Sequence, residues 1–235
     1  MSPPGRPKGE YRRAPPEGTP VTTAQVLALV DDARAARSLL AISSALAQLM
    51  QRELQVVYLE NAAALAAAAL PATQVLAAAS ARWTALAPPD LELAWRIEAG
   101  RLRALAEQAS LERAVRWSMR VVRGALPEAA QALMAQCDLL LLASAAPHFG
   151  MAATPQPCRT VTVLDDGGPA GAQALQLARR LAEALGARLQ RQPVRPGAIW
   201  TLSEPTDLLV LPQGLRASQA DGRPRQATLL VGPIG

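Results

Sequence analysis

The 235-residue sequence predicts an α/β protein with a doubly wound, mostly parallel sheet that is internally duplicated, with a truncated second copy. Short apolar segments alternate with amphipathic helical ones, as in repeated βαβ units. The apolar segments carry almost no charge, as strands covered by helices on both faces require. Two patterns occur twice: "LALVDD" at 27–32 returns as "VTVLDD" at 161–166, and "DLLLL" at 138–142 returns as "DLLVL" at 207–211. Self-similarity in a fixed order favours a duplicated unit.

The first lobe, residues 23–147, follows an arm of residues 1–22 that is rich in proline and arginine. The arm has too little apolar surface to offset its ordering entropy, so we expect it to be disordered. Apolar runs predict strands at 25–32 and 54–60, the second rich in β-branched residues. Residues 33–51 carry leucine and isoleucine at spacings of three and four, which indicates an amphipathic helix.

Residues 61–114 form an alanine-rich stretch that we predict to be a mostly helical insert in the first lobe. A proline pair at 88–89 marks the start of its longest helix. Trp83, Trp95 and Trp117 lie in or beside this insert. Large aromatic side chains are usually buried, so we expect the three to pack the insert onto the sheet.

A period-two strand at 115–124, a helix at 126–136 and a strand at 138–144 complete the first lobe. The second lobe, residues 158–235, repeats the strand and helix order in a shorter form. Its predicted elements are a strand at 159–166, a helix that ends at Gly186, a weaker strand at 187–194, a loop at 195–205 and strands at 206–213 and 227–233.

The two lobes can be aligned on their paired acids. This alignment places Asp31 on Asp165 and Val30 on Leu164. One extra residue in the "DDGG" turn then brings Leu54 onto Leu189 at the start of the following strand.

The first lobe resembles the universal stress proteins, a family with an adenine nucleotide alpha hydrolase-like, Rossmann-like fold. The resemblance depends on "LALVDDARAARS", where members tend to read V-x-V-D-x-S, on the strands "LQVVYLE" and "DLLLLAS", and on the strand end "VVRG". It implies a parallel sheet of strand order 3-2-1-4-5 in each lobe, and an intramolecular pseudo-dimer of the two lobes. The second lobe resembles a degenerate copy without the third strand and its helix.

Members of this family that bind nucleotides carry a loop G-x2-G-x9-G-[S/T] after strand four. Glycines there let backbone N–H groups approach the phosphates at a helix N-terminus. The first lobe offers Gly150 alone in this region, and the second offers Gly214 and Gly222 at the wrong spacing. The first lobe also runs into the second without a fifth strand of its own. We therefore expect neither lobe to hold a triphosphate in the family manner.

The candidate site residues are Asp31 and Asp165, at the ends of the first strand of each lobe. The resemblance implies that the acid at this position contacts the ribose side of a nucleotide, so ATP or AMP is a possible cofactor. Ligands of open α/β sheets bind beyond the carboxyl ends of the strands. The alternative is that each pair of acids caps the following helix, with Asp32 and Asp166 facing water.

Other reactive residues do not form a catalytic or metal-binding pattern. His148, the single histidine, has no acid or cysteine beside it and is expected to be a loop residue. Cys137 and Cys158 are neither a disulfide framework nor a CxxC pair. The uncharged stretch 61–81 is mostly alanine and is interrupted by Pro71, so we expect no membrane span. No signal peptide is visible, and we expect a cytoplasmic protein that is not an enzyme.

These observations predict a universal stress protein-like, non-catalytic protein of a stress-response or regulatory pathway. It would act by contacts with a protein partner, by self-association or by weak ligand binding. One alternative is an adenine-nucleotide binder that holds phosphates with arginines, because the net charge of +5 comes almost wholly from arginine. A second is DNA association through "PPGRPKG" at 3–9, which resembles an AT-hook core; Pro4 and Glu10 depart from that pattern and argue against nucleic acid.

Overall fold

The computed structural model describes residues 25–71, 73–77, 82–143, 157–195, 198–212, 214–215, 220–221 and 227–232. The predicted disordered arm, the AT-hook-like segment and His148 lie outside these residues. The elements of the first half are β1 (Gln25–Val30), α1 (Ala33–Met50), β2 (Glu53–Asn61), α2 (Ala62–Ala68), β3 (Gln74–Ala77), β4 (Arg82–Ala85), α3 (Pro88–Leu111), β5 (Trp117–Gly124), α4 (Leu126–Met134) and β6 (Leu139–Ala143). Those of the second half are β7 (Thr160–Asp165), α5 (Pro169–Leu185), β8 (Arg188–Pro193), β9 (Trp200–Thr201), β10 (Leu208–Pro212), β11 (Ala220–Asp221) and β12 (Ala227–Val231).

The main sheet has eight strands in the order β5-β2-β1-β6-β12-β10-β7-β8. All neighbours are parallel except β6 and β12, which pair antiparallel, so the two halves run in opposite directions. The predicted α/β, mostly parallel, Rossmann-like architecture is therefore confirmed. The first four positions of the implied order 3-2-1-4-5 are present as β5-β2-β1-β6. Among the described residues the first half contributes no fifth strand, as the sequence predicted, and β12 from the second half pairs with β6 in that place.

Helices cover both faces of the sheet. One face packs against α1, α3 and α5, and it contains most of the fully buried side chains, such as Leu39, Leu46 and Leu181. The other face packs against α4 in the first half, through Leu133. In the second half a cluster around Trp200 covers the same face, since Leu230 packs against both clusters. Because both faces are covered, the strands need continuous apolar runs, and these runs are what made them recognisable in the sequence.

The stretch 61–114 differs from the prediction. Its main element, α3, is the crossover helix between β2 and β5, and Trp95 and Trp117 pack against the core as expected. Between α2 and α3, however, β3 and β4 form an antiparallel hairpin. The prediction for Trp83 is wrong, because this side chain on β4 is 66% exposed. High alanine content favoured helix throughout, whereas the hairpin depends on cross-strand pairs such as Leu76 with Trp83.

The units β1-α1-β2 and β7-α5-β8 correspond without a gap. β1 and β7 have six residues each, start 135 positions apart and have the same burial pattern. Both helices end in a left-handed residue, Gln51 with φ 52° and Gly186 with φ 64°, again 135 positions apart. At these ends the N–H of Arg52 bonds the carbonyl of Ala47 at 2.9 Å, and the N–H of Ala187 makes the equivalent bond at 2.8 Å. The two units therefore share the register of their paired strands and the geometry of their helix ends, although β2 is three residues longer than β8.

Two smaller features complete the fold. The predicted loop 195–205 contains β9, which pairs with β11 in a two-stranded sheet of its own. Among the described helices, none combines the length and apolar character needed to cross a bilayer.

Candidate functional site

The structure does not bring the two candidate acids together. Asp31 follows the carboxyl end of β1, and Asp165 is the last residue of β7. β1 and β7 run in opposite directions because the sheet reverses between β6 and β12. Asp31 and Asp165 therefore lie at opposite ends of the strands of the sheet, and each is a separate candidate site.

The two acids do not occupy equivalent positions. In β1 the α1 side of the sheet receives Val26, Ala28 and Val30, and in β7 the α5 side receives Val161 and Val163. Side chains alternate along a strand, so the next α5-facing residue of β7 is Asp165.

The structural counterpart of Asp165 is therefore Val30, and that of Asp31 is Asp166. The alignment of Asp31 with Asp165 is wrong by one residue. A one-residue slip exchanges the faces of every side chain in a strand. The extra residue assumed in the "DDGG" turn is not needed, since β2 and β8 also start 135 positions apart.

Asp165 is buried and fully engaged by neighbouring groups. Its side chain is 5% exposed, and Oδ1 accepts a hydrogen bond from the Gly167 N–H at 2.8 Å. Oδ2 accepts from Arg191 Nε at 2.6 Å and lies 2.5 Å from Arg191 Nη2. The Gly167 N–H, with Arg191 second, lowers the pKa of Asp165 against the opposing effect of burial. This carboxylate is ionised and has its acceptor sites directed at the protein itself.

Asp166 and Gly171 complete this strand end. Asp166 Oδ1 accepts from the Gly168 N–H at 2.9 Å, so both acids close the turn that leads into α5. Gly168 occupies the N-cap position, which means that the acids act just before the helix instead of as its cap. Gly171, in the first helical turn, leaves room for them: a Cβ there would lie 2.6 Å from Asp165 Oδ1. The predicted capping is thus replaced by a bonded turn in contact with the helix N-terminus.

Asp31 lies beyond the carboxyl ends of the first-half strands, where several carboxylates gather and form an acidic edge. Burial, and then the neighbouring charge of Asp32, raises its pKa. Next along this edge, the fully buried Tyr58 donates a hydrogen bond from its hydroxyl to Glu98 Oε2 at 2.8 Å. Burial and the carboxylates of Glu98, Glu60 and Asp32 raise the pKa of Tyr58. These carboxylates were not predicted as a group, because they come from separate elements of the first half.

Arg123 is a cation at this edge and is already paired with carboxylates. Its Nη2 lies 2.8 Å from Glu60 Oε2 and 3.9 Å from Glu92 Oε1. Its guanidinium also lies over the ring of Trp95, 5.7 Å from the centroid. A phosphate approaching Asp31 would therefore meet several carboxylates and an arginine that is neutralised.

The acids of the repeated D-L-L-x-L pattern are structural. Asp207 Oδ2 accepts from the N–H groups of Arg159 at 2.8 Å and Thr160 at 3.1 Å, at the amino end of β7. Asp138 forms an ion pair with Arg52 at 3.0 Å, at the amino ends of β6 and β2. Each acid ties the start of its strand to the start of a neighbouring chain segment.

Two cavities of the described structure are lined by neither Asp31 nor Asp165, although one of them includes Arg191, the partner of Asp165. One, of about 290 Å³, lies beside the ends of α1 and α3 and is lined by Arg52, Arg113 and Arg116 among others. The other, of about 280 Å³, lies beside β8 and includes Gln190 and Arg191. Asp31 and Asp165 line neither cavity.

Sulfur and metal chemistry is equally limited in this part of the chain. Burial raises the pKa of Cys137 to about 11 and that of Cys158 to about 12, so both are thiols at neutral pH. No cluster of three acidic, histidine or cysteine side chains with the geometry of a metal site occurs among the described residues.

Fold and sites together define a Rossmann-like α/β protein in which acidic strand ends are used largely for internal contacts. No protein-family model matches the chain, and no curated protein is significantly similar to it.

Proposed function

We propose that this is a universal stress protein-like, non-catalytic protein of a stress-response or regulatory pathway, located in the cytoplasm. It acts through contacts with other proteins, or through weak ligand binding, and does not transfer phosphate. The observation that carries the proposal is the state of Asp165. This strand-end acid is buried and accepts bonds from Gly167 and Arg191, so its carboxylate is directed at internal donors and closed off from a ribose hydroxyl.

The first half supports the same proposal. Its strand-end edge combines Asp31 and Asp32 with Glu60 and Glu98, and repulsion between these carboxylates and a phosphate chain opposes nucleotide binding. The phosphate-binding glycine pattern is also missing from the sequence after strand four in both lobes.

We further propose that the two halves descend from one duplicated unit. The constant separation of 135 positions through β1-α1-β2 and β7-α5-β8 supports this origin, as do the matching helix ends at Gln51 and Gly186. Such a history explains how one strand end could lose its ligand while the scaffold was retained.

In the adenine-nucleotide alternative, the nucleotide would contact Asp31. This carboxylate is only half-buried and, within the described residues, has no arginine partner of the kind that Asp165 has. A ribose hydroxyl could donate to it if Arg123 left Glu60 for a phosphate.

Thermal unfolding with ATP, ADP and AMP, each with Mg²⁺, distinguishes the non-catalytic proposal from the nucleotide-binding alternative. A ligand at one hundred times its Kd stabilises a protein by about 2.7 kcal/mol, so binding would be readily seen. We expect no rise in Tm with any nucleotide and no ATP hydrolysis. A rise that is lost in Asp31→Asn, but retained in the Asp166→Asn control, would replace this proposal with the nucleotide-binding alternative.

A further inference from the structure

Helix α3 has two apolar faces, although a surface helix normally has one. The first faces the core and includes Trp95, Leu102 and Ala106. The second faces solvent: Leu93 is 53% exposed, Ile97 49% and Leu111 74%. At about 100° per residue, the second stripe lies directly opposite the first. Its members are Leu93, Ile97, Gly100, Ala104, Glu107 and Leu111.

Gly100 has no role within the chain that would explain it. It lies in the middle of α3, where glycine is a poor helix former, and a Cβ added to it would meet no atom within 4 Å. Ala104, one turn later on the same stripe, is also small and exposed. The distance between two packed helices depends on the side chains at their crossing, so this pair lets another helix approach closely.

We propose that α3 packs antiparallel against α3 of a second copy of this chain, with the crossing at Gly100 and Ala104. The stripe is self-complementary, as a two-fold interface requires. About a dyad near residue 102, Gly100 faces Ala104 of the second copy, and Leu93 faces Leu111 of the second copy. The large residues thus lie at both ends and the small ones at the centre. This inference specifies the protein contacts proposed above and rests on that proposal.

The charges beside the stripe fit the same arrangement. In this register Glu107 of one copy lies opposite Ile97 of the other, so it is within reach of the adjacent Arg96, twice by symmetry. Both side chains are exposed, and neither forms an ion pair within the described residues. Within one chain they are eleven residues apart, about 16 Å along the helix, which is too far for contact. Arg101 of one copy lies opposite Arg103 of the other at the flanks of the centre, where their long side chains extend into water, which screens this like-charge pair.

The test is sedimentation equilibrium of the full chain over about 1 to 200 µM, a range that detects micromolar dissociation constants. We expect a concentration-dependent dimer. Gly100→Leu should weaken it at least about tenfold, which corresponds to about 1.4 kcal/mol. Circular dichroism should stay native, and Tm at low protein concentration should not fall, because a Cβ at residue 100 meets nothing in the monomer and leucine is the better helix former. Ala94→Leu, on an exposed flank of the same helix, is the matched control and should change the dimer by less than about twofold.

Charge reversal tests the antiparallel direction. Arg96→Glu and Glu107→Arg should each weaken the dimer, and the double variant should restore it, which only a contact between two chains can do. A monomer at all concentrations, a dimer insensitive to Gly100→Leu, or a double variant that is not restored would overturn the inference. Sedimentation tests the dimer, whereas thermal unfolding with nucleotides tests the proposed function. A failure of the dimer inference is therefore distinguishable from a failure of the proposed function.

Discussion

Replacing Gly171 with alanine tests how the end of β7 is built. In a helix this substitution normally stabilises by about 1 kcal/mol. Here the new methyl would lie 2.6 Å from Asp165 Oδ1 and 3.1 Å from the backbone nitrogen of Asp166, and closer still to Asp166 Oδ1. The carboxylates of Asp165 and Asp166 must move away from the new methyl group, because the backbone nitrogen of Asp166 cannot.

The expected cost follows from the bonds that these carboxylates make. Moving them breaks the bonds from the N–H groups of Gly167 at 2.8 Å and Gly168 at 2.9 Å, each contributing about 1 kcal/mol. It also disturbs the buried contact between Asp165 and Arg191. After the helix preference of alanine is subtracted, we expect a net loss of about 1 to 3 kcal/mol. For a chain of this size the fall in Tm is about 3 to 8 °C.

Urea unfolding and thermal unfolding measure this loss. Gly100→Ala is the control, since a Cβ there meets nothing, and at low protein concentration it should raise Tm by about 1 to 3 °C. A second check uses the first half as a template, where Val30 and Ala36 occupy the positions of Asp165 and Gly171. In an Asp165→Val background the cost of Gly171→Ala should fall by at least about 1 kcal/mol. A Gly171→Ala variant as stable as the wild type, or a cost unchanged in that background, would refute the reasoning.

Other strand-end and buried groups give four further predictions. Folding lowers the pKa of Asp165, so its charge stabilises the protein above the unfolded pKa of about 3.9; Asp165→Asn should lower Tm at pH 7, and the difference should shrink below about pH 4. Folding raises the pKa of Asp31, so Asp31→Asn should raise Tm at pH 7, and a fall would contradict the acidic-edge description. Asp207→Ala leaves two backbone N–H groups without their acceptor and should cost about 1 to 3 kcal/mol in urea unfolding. Cys137 and Cys158 should react with a thiol reagent at pH 7 more slowly in the folded protein than after unfolding, because their raised pKa values lower the thiolate fraction.

The strands and the long helices were predictable because burial on both faces leaves a strong signal. β1 has five buried residues of six, and β10 is buried throughout, which in sequence gives uninterrupted apolar runs. The β3–β4 hairpin was not predictable by this route. All four residues of β4 are exposed, so no buried face imposes alternation on its sequence.

The strand ends show where sequence similarity alone fails. Asp31 and Asp165 stand in the same local pattern, an apolar run closed by two acids, and identity of residue type favours aligning them. The structural match depends instead on which side of the sheet a residue faces. By that criterion Val30 is the counterpart of Asp165. The sequence contained a hint of this, since the helix and second-strand matches needed an offset one larger than the acids did. The environments of the acids, such as the Tyr58–Glu98 bond, depend on contacts 40 residues apart and left no local signal.

The differences between the two halves are themselves coupled. Where the first half has Val30 and Ala36, both buried in the apolar core, the second has Asp165 and Gly171, and a cation from β8 in Arg191. A buried acid without that cation and the Gly167 N–H would carry an uncompensated charge, and without Gly171 it would clash with the helix. The acid, the glycine and the arginine therefore depend on one another. A carboxylate so dependent on internal partners is part of the scaffold, and this is why the opposite edge, at Asp31, is the place to look for a ligand.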